Sequence, residues 1–169
     1  MKKILLYTTL LFALPFVTLA HAGHDHATTT EMQKKDEISK QLEDTINICA
    51  ALINKIQDLE NRVLQRVGIL ASDGSLSDEV QDQIDAKRES LDEVLVSAND
   101  RVNNNLPKLS DLVLNGDKPA KPVKNFKSEV SKIKVDLINS HKLIVEIIEL
   151  IKKDMLIDDN TATTTDNER

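Results

Sequence analysis

One line of residues constrains this chain more than any other: Phe126, Val130, Ile133, Leu137, Ser140, Ile144, Ile147, Ile151 and Met155. The steps alternate four and three, apart from a final four, which is the heptad seam of a helix packed along its length. Between Leu143 and Ile151 only Glu146 and Glu149 interrupt the apolar residues. At 3.6 residues per turn those side chains sweep a wider arc than one seam needs. A helix of that kind has to be wrapped by others, from this chain or from a second copy.

Two further stretches offer themselves as wrapping. The first carries Leu42, Thr45, Cys49, Leu52, Ile56, Leu59 and Val63. Thr28 with Glu31 three residues later forms a capping box at its start, and Asp73-Gly74 ends it. The second carries Val80, Ile84, Leu91, Val94, Leu95, Ala98 and Val102, with Ser75 or Ser77 as its cap and Asp78 and Glu79 at its positive end. Asn103-Asn104-Asn105-Leu106-Pro107 then weakens it, because asparagine is a poor helix former and proline lacks a backbone donor. Leu106, Leu109, Leu112 and Val113 nevertheless continue the period, which predicts a kink or a break near Pro107 and not a long loop. Asn115-Gly116 stops this helix, two prolines mark the connector over residues 118–122, and Pro122 suits the first turn of the last helix.

The helices predicted from these signals span about residues 31–71, 77–114 and 122–156. With only four glycines and four prolines in 169 residues, the fold class is all-α. Short connectors make the expected architecture an elongated antiparallel three-helix bundle with coiled-coil-like seams. Residues 158–169, acidic and Thr-rich, read as a disordered tail.

The start of the chain reads as a processed segment. Lys2 and Lys3 precede an apolar run over residues 4–19, and Ala20-His21-Ala22 fits a small-residue cleavage site. Residues 1–22 are therefore expected to be a cleaved signal peptide, residues 23–30 a flexible polar leader, and residues 31–157 the bundle of an exported protein, periplasmic or extracellular. No later stretch is apolar enough to span a bilayer. Loss of Lys2 and Lys3 moves the formal net charge from −6 to −8, which disfavours nucleic acid and anionic membrane surfaces as partners.

The residues that carry chemistry are few. After cleavage, the Gly23 amine, the following amide and the imidazole of His24 suit square-planar Cu(II), and His24, Asp25 and His26 together are the candidate Cu or Zn ligands. The competing reading is a polar start that eases cleavage. His141 lies beside the last seam without a second ligand three or four residues away, which reads as a structural histidine bonded to a neighbouring helix. Ser140 precedes it, but adjacent helical residues point about 100° apart. Cys49 is expected to be a small buried hydrophobe, with an intermolecular disulfide as the alternative for an odd cysteine. Glu146 and Glu149 lack the second pair of a di-metal bundle. No phosphate loop, H-E-x-x-H, C-x-x-C or G-x-S-x-G occurs, so an enzyme is the least supported class.

The signal, the Thr-rich flank, the heptad-like helices and the stretch from Val123-Lys124-Asn125-Phe126-Lys127 to His141-Lys142 resemble uncharacterised secreted bacterial helical-bundle proteins. The resemblance covers most of the mature chain and implies no activity. The architecture is also similar to spectrin-type repeats, without their tryptophan, and to stress-related periplasmic helical chaperones, without their L-T-x-x-Q signature. The expected function is a non-enzymatic structural or protein-interaction module that binds a protein partner or self-associates through the region from Leu143 to Ile151. Metal binding at the His-rich leader is the alternative.

Overall fold

In the computed structural model, which describes residues 31–162, the chain is a helical bundle. Its elements are α1 (Glu31–Ser72), α2 (Asp78–Asp100), a π-helical turn (Arg101–Asn105), α3 (Leu106–Asn115) and α4 (Ala120–Ala162). Asp100 and Leu106 on either side of the π turn both hold right-handed helical angles, so the backbone stays helical from α2 through the turn into α3. The described residues contain three such helical stretches and no strand.

The expected weak point thus takes the form of a bulge, with the chain staying helical through it. The Leu106 N–H donates to the Arg101 carbonyl, five residues back. Pro107 follows at the start of α3, where its missing donor and its ring would both disrupt a regular α ladder. The longer loop of the π turn absorbs the misfit. It also holds back the phase of the helix beyond it. Of the residues expected to continue the buried stripe, Leu106 is buried and Leu109 and Val113 are half-buried, but Leu112 is 50% exposed, while Ser110 and Leu114 also turn half inward.

Two glycines shape the ends. Gly74 sits at φ 76°, the left-handed conformation that closes a Schellman motif. Ser75 N–H donates to the Leu70 carbonyl at 2.9 Å and Gly74 N–H to that of Ala71 at 3.3 Å. At Gly116 a Cβ would lie 2.5 Å from the Leu112 carbonyl oxygen, so only glycine fits that close approach. The last helix begins at Ala120, earlier than Pro122 suggests. Val123 N–H bonds the Pro119 carbonyl, and Pro122 falls among the first-turn positions that need no donor.

The chain divides into two packed units. One joins the described residues up to Ala51 with Asn99–Val135. Its buried side chains are Leu42, Thr45, Cys49, Val102, Leu106, Phe126 and Ile133. The Thr45 hydroxyl donates to its own helix at the Gln41 carbonyl, 2.8 Å away, so a polar residue on the seam needs no partner across it. Lys35 of α1 donates to the Asn115 side chain at 3.0 Å.

The other unit joins Leu52–Ala98 with the described residues from Asp136 on. Leu70, Leu76, Ile84, Ile147 and Ile151 form its central cluster, with Val63, Val67, Val80 and Leu150 against it. Asp154 of α4 reaches the start of α2. It accepts from the Ser77 N–H at 2.7 Å and from the Ser77 hydroxyl at 3.0 Å. Ser77 is therefore itself held by a carboxylate from another helix, and its hydroxyl does not cap α2 in the local way its sequence position suggests.

Candidate functional site

His24, Asp25 and His26 lie outside the described residues, as do Thr28 and residues 163–169. Among the described residues no group of three His, Cys, Asp or Glu gathers in a way that could hold a metal ion. No helix there is long and apolar enough to cross a membrane.

Cys49 is fully buried, and burial pushes its thiol up to about 11. Ser140 is fully buried too, and its hydroxyl donates to the Asp136 carbonyl of its own helix at 2.9 Å. His141, next in sequence, is half-buried. No hydrogen bond joins His141 to another helix among the described residues, contrary to the sequence expectation; it sits beside the seam, half in solvent. The two do not form a nucleophile and base.

Three carboxylates are placed by tertiary structure. Glu129 accepts from Lys132 at 2.6 Å, from Arg101 at 2.9 Å and from Asn105 at 3.4 Å. Lys132 chiefly, then Arg101 and Asn105, hold its carboxyl below the usual range against the opposing effect of burial. Two of these donors come from the π turn, so Glu129 of α4 ties that turn down within its unit. Glu146 accepts from Lys87 of α2 at 2.6 Å, with Lys142 at 3.7 Å. Lys87 lowers it most. Glu149, its expected companion, is exposed.

Glu60 is the third, and the sequence reading passed over it. It is only 8% exposed. Burial raises its pKa first, and Asp92 of α2 adds both charge repulsion and a hydrogen bond, with Arg88 opposing. The clue was spacing: Ile53, Ile56, Glu60, Val63, Val67 and Leu70 also run in fours and threes. A straight helix drifts about 20° per heptad against a 3.5 repeat, so the buried line passes from Leu52 to Ile53 and from Leu59 to Glu60. Leu59 is accordingly half-buried.

Charge on the outside is divided between helices. α2 carries eight acidic and two basic residues. Between Ala120 and Leu156, α4 carries eight lysines against five acids. Asp85, Arg88, Glu89, Asp92, Glu93 and Val96 line a shallow open groove on α2, where Val96 is 69% exposed. On α4, Ile138 is 42% exposed. From Leu143 to Ile151 every apolar side chain is buried or half-buried. The wide arc is thus largely covered within the chain, and the most exposed apolar side chains lie elsewhere.

No family model, curated protein or solved structure matches this chain.

Proposed function

We propose that this chain is an exported, non-enzymatic helical interaction module whose working surface is the outside of its helices. The observation that carries the reading is the pairing of exposed apolar side chains with one-sided charge. Val96 stands at the end of a mostly acidic groove on α2, and an exposed apolar side chain flanked by one sign of charge is a surface that a helix of complementary charge can cover. Export rests on the positive start, apolar run and small-residue site of residues 1–22. A bundle with closed seams offers partners its faces, and function follows from what those faces touch.

The test is affinity capture from the native envelope with the protein from Gly23 onward, set against a Val96→Asp variant. A defined partner held by the first and lost from the second is expected. Capture unchanged by the substitution, or no partner at all, would overturn the reading.

A further inference from the structure

Within the second unit, α2 and α4 each carry one largely exposed stripe outside the buried face. On α2 the stripe runs through Asp82, Asp85, Glu89, Asp92 and Val96, about 110° round the helix from Ile84, Leu91 and Leu95. On α4 it runs through Ile138, Lys142, Val145, Glu149 and Lys152, opposite Leu137, Ser140, Ile144, Ile147 and Ile151. Both stripes step in threes and fours, so both are straight enough to lie along another helix.

Laid antiparallel, the two stripes match in register. Asp82 and Asp92 are ten residues apart, as are Lys142 and Lys152. Asp92 and Val96 are four apart, as are Ile138 and Lys142. Placing Asp82 against Lys152 therefore places Asp92 against Lys142 and the exposed Val96 against the exposed Ile138. The same register sets Glu89 against Val145, and the one like-charged pairing, Asp85 against Glu149, has Arg88 a turn away. We propose that a second copy of this chain docks here, the α2 stripe of one protomer lying antiparallel on the α4 stripe of the next. This rests on the interaction-module reading and names the partner.

Each stripe lies outside the core that the two helices share, with Asp92 at the edge of the α2 stripe that borders Glu60, so one contact leaves a free α2 stripe at one end and a free α4 stripe at the other. The contact is heterologous and adds copies head to tail. Its length, from Asp82 to Val96, is roughly 21 Å of helix. An interface that small and that charged is weak and salt-sensitive. Lys142 is available to it: its intrachain contact to Glu146 is long, at 3.7 Å, and its side chain is 75% exposed.

The experiment is sedimentation of the protein from Gly23 onward, from about 10 µM to about 1 mM. Runs at about 50 mM and about 500 mM salt bracket the screening range. The expected result is an average mass that climbs with concentration in low salt and returns to monomer in high salt. Two exposed-charge variants test the geometry, Asp82→Lys with Glu89→Lys, and Lys142→Glu with Lys152→Glu. Asp92 is left intact because it bonds Glu60. Each variant alone should be monomeric with an unchanged helical spectrum, and an equal mixture should regain association, because the second variant keeps the native α2 stripe and the first keeps the native α4 stripe. Wild type monomeric throughout, association surviving either reversal, or a mixture that stays monomeric would each overturn the proposal. A strict monomer that still captures another protein through Val96 would remove this proposal and leave the interaction-module reading standing.

Discussion

Ile147→Ala is the substitution that most directly probes how α4 is seated. Ile147 is 1% exposed and packs in the cluster with Leu70, Leu76, Ile84 and Ile151. The change removes three carbons. At about 0.8 kcal/mol per buried carbon the transfer loss is about 2.4 kcal/mol. Neighbours held on α1, α2 and α4 can close only part of the space, and the residual cavity brings the total to about 3–4 kcal/mol, inside the range for such truncations. Against a whole-domain stability of about 5–15 kcal/mol that is a large fraction, and it corresponds to a fall in Tm of about 10 °C. The chain has no Trp and a single Tyr, at position 7, so guanidinium unfolding should be followed by far-UV circular dichroism and not by fluorescence. Ile148, next in sequence, is only half-buried, and Ile148→Ala should cost about 1–2 kcal/mol. Equal costs at the two positions, or a larger one at Ile148, would refute the seam phase on which the packing argument depends.

Three further outcomes are expected. Glu60 has a folded-state pKa above its ordinary 4.5, so its contribution to stability is complete below that value and is lost as pH rises through the folded value. Glu60→Gln keeps a donor toward Asp92 and cannot ionise, so it should be more stable than wild type at neutral pH, and the two should converge as pH approaches 4.5. A parallel pair of pH–stability curves would contradict this. Glu129 and Glu146 act in the opposite sense, their lowered values giving stability that disappears as pH falls; this acid loss should be common to wild type and Glu60→Gln. Asp154→Ala removes the carboxylate that holds the Ser77 N–H and hydroxyl and should cost about 1 kcal/mol in chemical denaturation. For the leader, Cu(II) titrated into the protein from Gly23 onward should bind more tightly than into a form starting at Ala27, and should weaken as pH falls below about 6.5. Equal affinity in the two forms would remove His24, Asp25 and His26 as a site.

The sequence by itself determined the helices and most of their buried faces. Along α4, Phe126, Ile133, Leu137, Ser140, Ile144, Ile147 and Ile151 are all buried, because a four–three alternation allows only one inward face. Met155, the last of that line, is 39% exposed. Turns were legible for the same local reason: Gly74 and Gly116 occupy positions where a side chain would meet a forbidden angle or a carbonyl. Tertiary structure alone decided the rest. Whether Glu60 or Leu59 turns inward depends on a few tens of degrees of drift accumulated over several turns, which a fixed repeat does not register. The π turn sets the phase of α3 behind it, and no count of residues reveals that an extra one has entered a turn. Lys87 with Glu146, Arg101 with Glu129 and Ser77 with Asp154 are separated by 59, 28 and 77 residues. Local spacing says where each charge stands on its own helix, but only packing decides which charge on another helix comes within hydrogen-bond distance of it.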